Sequence, residues 1–127
     1  MIFPSVETIE DIHYDSIDEF GGSHGLRDLG LLESAVARAA NKAFYAPDAS
    51  LSEVGASLAW GLIKNHAFID GNKRVGLGGL AAFLKGNNRR LNCANEEKVL
   101  MVWRAAAGEI TEEQWTVWVM RVTAPLI

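Results

Sequence analysis

The stretch HAFIDGNKRVG, residues 66 to 76, gathers a histidine, an aspartate, two glycines, an asparagine and two cations into one short run. An ordinary histidine titrates at about 6.5, so His66 can take a proton at cellular pH from a hydroxyl attacking phosphorus. Asp70 would repel a phosphate unless a divalent cation lay between them. Magnesium suits that place, because it takes one or two carboxylates together with phosphate oxygens. Arg74 offers a bidentate fork to such oxygens and Lys73 a point charge. Each residue also has a plainer use. A histidine at a helix end is commonly structural, Asp70 can serve as an N-cap worth about 1 kcal/mol, and the two cations can reach solvent or a carboxylate.

Helices must position this cluster. Ser5 is a good N-cap, Val6, Ile9, Ile12, Ile17 and Phe20 follow at helical spacing, and Gly21 and Gly22 stop the run. After the turn SHGLRD, a second helix carries Leu31, Leu32, Ala35, Val36 and Ala39 and ends before NKAFYAP. Ser50 and Glu53 form a capping box for a third, with Val54, Leu58, Leu62 and Ile63 inward and Gly55 and Gly61 allowing close neighbours. A fourth begins at Asn72 or Lys73, carries Leu77, Leu80, Ala81 and Leu84, and stops with Gly86 as C-cap. Asn95 opens a fifth, carrying Leu100, Val102, Trp103 and Ala106 and stopped at Gly108. Thr111 and Gln114 cap a sixth, with Trp115, Trp118, Val119 and Val122 before Pro125. NNRR at 87 to 90 reads as a solvated turn, and no strand pattern emerges. The expectation is an all-α protein, a single compact bundle of about six helices, with one domain over residues 1–127.

In that bundle His66 leaves the third helix and GNKR enters the fourth. The first turn of a helix has N–H groups without intrahelical partners and carries the positive end of the dipole, which together attract an anion. Gly71 removes a side chain from the approach. Lys73 and Arg74 are mildly disfavoured there unless an anion sits among them. GLGGLA at 76 to 81 matches a dinucleotide-binding glycine pattern, but it lies within a helical stripe and no strand precedes it, so close helix packing explains it better. No G-x-x-x-x-G-K-[ST] phosphate loop is present.

The bulk composition narrows the classes further. The chain has 127 residues, 49% hydrophobic, with a formal charge of −4 and no clustered basic face. Gripping nucleic acid by its phosphates needs such a face, so no direct nucleic-acid partner is expected. Cys93 stands alone, which excludes a disulfide framework and points to a reducing, cytoplasmic setting. The first dozen residues turn acidic early, and no run approaches about 18 apolar residues, so neither export nor membrane insertion is expected.

HAFIDGNKR resembles the signature of the Fic/Doc family: His, any residue, Phe, any residue, Asp or Glu, Gly or Ala, Asn, Gly or Lys, Arg. His66, Phe68, Asp70, Gly71, Asn72, Lys73 and Arg74 fill the defined positions in order. GGSHGLRDLGLLESAVARA at 21 to 39 is similar to the segment that precedes the core in the Doc, or death-on-curing, branch. The resemblance implies an ATP-dependent transferase in which His66 is the base, Asp70 holds Mg2+, and Gly71, Asn72, Lys73 and Arg74 cradle phosphate. Adenylylating relatives have Gly where Lys73 stands and usually a further arginine where Leu77 stands. In the Doc branch, Lys at that position goes with a reversed nucleotide and transfer of the γ-phosphate.

The implied function is therefore the toxin of a toxin–antitoxin pair, a kinase of elongation factor Tu that arrests translation. An adenylyltransferase, or a non-catalytic module that only holds an antitoxin, stands as the alternative. The inhibitory pattern [ST]-x-x-x-E-[GN] of many relatives is absent, so restraint is expected from a separate antitoxin. The first or last helix could receive it, although Trp103, Trp115 and Trp118 are more commonly core residues.

Overall fold

The computed structural model describes all residues from Met1 to Ile127. Six helices follow in order: α1 (Val6–Phe20), α2 (Leu29–Tyr45), α3 (Leu51–Lys64), α4 (Asn72–Gly86), α5 (Asn95–Ala106) and α6 (Glu112–Val122). The all-α expectation holds, with one addition. β1 (Arg89–Leu91) and β2 (Thr123–Pro125) pair antiparallel, with Arg90 opposite Ala124. Arg89 and Arg90 thus leave the expected turn for a strand. Asn88 reverses the chain in the left-handed region at φ 64°, and a three-residue strand is too short for any alternation to announce itself.

α3 is the central rod, packed by α2, α4, α5 and α6. Its N-terminus has the expected reciprocal cap: the Glu53 amide donates to Ser50 Oγ and the Ser50 amide to Glu53 Oε1. Val54, Leu58, Leu62 and Ile63 are buried, as are the small residues between them. Close approach to α4 depends on Gly76, where an added Cβ would lie 2.5 Å from Ile63 Cγ1. The glycines of GLGGLA therefore lie inside α4, where Gly76 and Gly79 let it pack against α3 and Gly78 against Ile12 of α1. Trp115 of α6 closes the far side, fully buried, with its indole N–H donating to the Ala56 carbonyl at 3.1 Å.

Several element ends differ from expectation. α2 runs six residues beyond Ala39 to Tyr45, leaving Phe44 and Tyr45 exposed; polar Asn41 and Lys42 do not break a helix whose end is solvated. α4 includes Gly86, and the cap is Asn87. α5 opens at Asn95 as expected, with Ala94 before it and no side-chain cap. Phe20 closes α1 pointing to solvent, and the buried line of that helix is Ile9, His13 and Ile17. No helix is long and apolar enough to cross a membrane.

Candidate functional site

The corner lies between Lys64, the last residue of α3, and Asn72, the first of α4. Three devices fix it. Phe68 is buried and its ring stacks on His13 of α1, with centroids 3.8 Å apart. His13 Nε2 donates to the Asp70 carbonyl at 2.7 Å. The segment 25–28 runs alongside: Arg27 and Asp28 amides donate to the Ala67 carbonyl, the Ile69 amide to Gly25 O, and the Arg27 guanidinium to the carbonyls of His66 and Asn65.

Asn72 is the keystone of the turn. It is buried, its Oδ1 accepts from the Phe68 amide at 3.0 Å, and its Nδ2 donates to the Phe68 carbonyl at 2.9 Å. Both ends of the amide are thereby oriented. The same Nδ2 lies 3.3 Å from His66 Nδ1, so that ring nitrogen is the acceptor and the neutral imidazole carries its proton on Nε2. A second ring proton would face the Asn72 donor, and gaining one requires release of this long, weak contact. His66 itself is exposed, with φ at 55°. Asn72 was expected in the phosphate cradle; its side chain is engaged inside the turn, and its backbone N–H has no hydrogen-bond partner.

The reading of Asp70 as the N-cap of α4 is corrected. Gly71 takes the cap position in the left-handed region at φ 77°, and no side chain caps the helix. The N–H groups of Asn72, Lys73 and Arg74 have no hydrogen-bond partner, and the first helical bond runs from the Val75 amide to the Gly71 carbonyl. Asp70 instead accepts from the Ser23 amide through Oδ2 at 3.1 Å and the Gly71 amide through Oδ1 at 2.8 Å. Those amides, Ser23 foremost, with Arg74 nearby, hold its carboxyl below the usual carboxylate range. Each oxygen keeps a lone pair for a cation.

Linkage gives this a measurable consequence. Because the folded pKa is lowered, the ionised carboxylate stabilises the fold above its unfolded pKa, and that contribution disappears as pH falls through the folded value. Asp70→Asn is expected to lose less stability than the parent between neutral and acid pH in denaturant titrations. Parallel pH profiles for the two proteins would contradict the pinned carboxylate.

Neither cation of the first turn has an acidic partner. Arg38 pairs with Glu112 instead, and the imidazole of His24 lies 2.8 Å from Asp18. Arg74 reaches only the Ser16 carbonyl, at 3.4 Å, and Lys73 Nζ rests 4.3 Å above the ring centroid of Trp103. Trp103 was expected in the core with Trp115 and Trp118, but it is 57% exposed. Trp118 is buried and donates its indole N–H to Glu97 at 2.8 Å.

Two clefts share the floor formed by residues 70 to 73. One, of about 250 Å3, holds His66; the other, of about 290 Å3, holds Arg74 and Trp103. Asp70 is the carboxylate on that floor, and no cluster of three or more His, Cys, Asp or Glu side chains could hold a metal by itself. One carboxylate beside three open N–H groups fits a magnesium ion that arrives with phosphate ligands and keeps waters; it does not fit a protein-caged metal. Sequence reasoning placed His66, Asp70, Gly71, Lys73 and Arg74 at one corner, and they are together. It missed His13, whose signal was its spacing of four residues from both Ile9 and Ile17, and Arg27, which gave none.

An uncapped helix start, two cations without an ion-pair partner and an exposed histidine meet at one turn of a helical bundle. A model of the Fic/DOC family matches residues 3–89, and the chain belongs to that family. It is 39% identical over 84 residues to Toxin Doc of Mycolicibacterium smegmatis (strain ATCC 700084 / mc(2)155). That match spans 65% of this chain and 64% of the relative's own length.

Proposed function

We propose that the chain is the toxin of a toxin–antitoxin pair and acts as a cytoplasmic kinase, moving the γ-phosphate of ATP to a hydroxyl of a translation protein. The observation that carries this is the first turn of α4, where three open N–H groups stand with Lys73 and Arg74, neither of which has an ion-pair partner. Phosphoryl transfer is catalysed chiefly by positioning and charge neutralisation, so this short cradle is sufficient equipment. Arg74 and the amides of Asn72 to Arg74 would hold the phosphate oxygens. Mg2+, held by Asp70 and the phosphates, would neutralise charge developing on the bridging oxygen.

In the step itself the target hydroxyl oxygen bonds to the γ-phosphorus, its proton passes to His66 Nδ1 as the Asn72 contact releases, and the bond to the β-phosphate oxygen breaks to release ADP. Lys73 fills space that glycine would leave open, and Leu77 supplies no second arginine; both favour terminal over internal phosphate transfer. By resemblance the target is elongation factor Tu, and an antitoxin supplies inhibition. A cleft of about 810 Å3, lined by Ile12, Phe20 and Leu77, has Arg74 at its edge, so a segment seated there would cover a phosphate ligand.

The test is label transfer to purified elongation factor Tu with Mg2+ and ATP. Label moving from the γ- but not the α-position supports the kinase, while label from the α-position alone replaces it with adenylyl transfer. No transfer, together with toxicity that survives His66→Ala, leaves the antitoxin-binding module.

A further inference from the structure

We infer that Trp103 is the nucleobase platform of the phosphate site, an exposed indole on α5 against which the purine of the nucleotide stacks while its phosphates lie on the first turn of α4. The inference rests on the triphosphate reading above and adds the residue that holds the other end of the ligand.

Exposure is the first reason. Trp115 is fully buried and Trp118 nearly so, whereas Trp103, one turn from the end of α5, turns a large apolar surface to solvent. Its position gives that surface a use. The cleft that Trp103 lines takes Asp70, Lys73, Arg74 and Leu77 from the corner and α4, and Val99 and Val102 from α5. A pocket with a cationic wall and an apolar aromatic wall matches a ligand with an anionic tail and a flat, weakly polar ring.

Direction is the second reason. His66 lies in the neighbouring cleft, across the shared floor of residues 70 to 73. A nucleotide with its base on Trp103 lays its phosphate chain over that floor and brings the terminal phosphate to His66. Placement of the aromatic on the far side from the base thus agrees with transfer of the outermost phosphate. Leu77, which takes the place of a phosphate-binding arginine, becomes part of the apolar wall.

Lys73 links the two halves. Its ammonium covers one face of the ring at 4.3 Å, an attraction that exposed pairs hold only weakly. Phosphate oxygens compete for the same ammonium, and drawing Lys73 away uncovers the indole for the base. Stacking accepts any base because every base has a π-face, so ATP and GTP should bind alike. Trp103 lies beyond residues 3–89, the span matched by the family model, so that match assigns it no role.

The experiment is calorimetric titration of Mg·ATP and Mg·tripolyphosphate into the full chain and its Trp103→Ala and Trp103→Phe variants. The alanine variant is expected to bind ATP about tenfold more weakly and tripolyphosphate unchanged within about twofold, since stacking serves only the base. Phenylalanine should recover most of the ATP affinity, and it preserves an aromatic ring should alanine disturb the fold. Equal ATP affinity in parent and alanine variant overturns the platform and leaves the phosphate socket standing. Equal weakening of both ligands means that Trp103 acts through Lys73, and also overturns it. A parent protein that binds neither ligand overturns the platform and the triphosphate reading together.

Discussion

His66→Ala should reduce transfer of the γ-phosphate by about 10²- to 10⁴-fold, the range a positioned acid–base group contributes. The side chain is exposed and its one side-chain hydrogen bond is the 3.3 Å approach from Asn72, so the fold should lose little. Mg·ATP affinity should also hold, because in the proposed site the α4 amides, Lys73 and Arg74, not His66, would hold the phosphates. A variant that binds ATP normally and no longer transfers phosphate is therefore expected, measured by single-turnover kinetics beside direct binding. Retained transfer would remove His66 from the chemistry. Joint loss of binding and transfer would make it part of the turn's architecture instead.

Trp115→Ala should have the largest effect on stability, about 3–5 kcal/mol, as for other large-to-small changes in packed cores. Its ring is fully buried at the junction of α6 with α3, and the truncation also leaves the Ala56 carbonyl without its indole donor. Chemical denaturation should show a lower midpoint with an unchanged slope, the signature of lost stability within an all-or-none transition. Trp103→Ala, from an equally large but exposed residue, should change stability by less than about 1 kcal/mol. Similar losses for the two variants would contradict the division of tryptophans between core and surface.

Much of this was legible in the residues. Ser50 with Glu53 and Thr111 with Gln114 announced two helix starts because a capping box is local chemistry, written within four positions. The buried stripe of α3 was legible for the same reason. The reactive corner could be located because its residues are contiguous. What they touch could not, since those partners come from distant segments. His13 lies 57 positions from Asp70, whose carbonyl it holds, and Ser23 caps a carboxylate 47 positions away.

Asn72 shows the limit most clearly. A polar residue at a helix start resembles a ligand or a cap, and only the folded turn reveals that Phe68 takes up both ends of its amide. Trp103 erred in the opposite direction, because helical spacing does not say which side of α5 meets the bundle. The strand pair was invisible because three residues with a single partner strand carry no periodicity.

The measurement that bears most directly on the corner as a triphosphate socket is a crystal structure with magnesium and a non-hydrolysable ATP analogue, free of any inhibitory partner. The phosphates should lie on the amides of Asn72, Lys73 and Arg74, with magnesium at Asp70 and the terminal phosphate nearest His66. A nucleotide seated elsewhere, or one that leaves this turn empty at saturating concentration, would contradict the account.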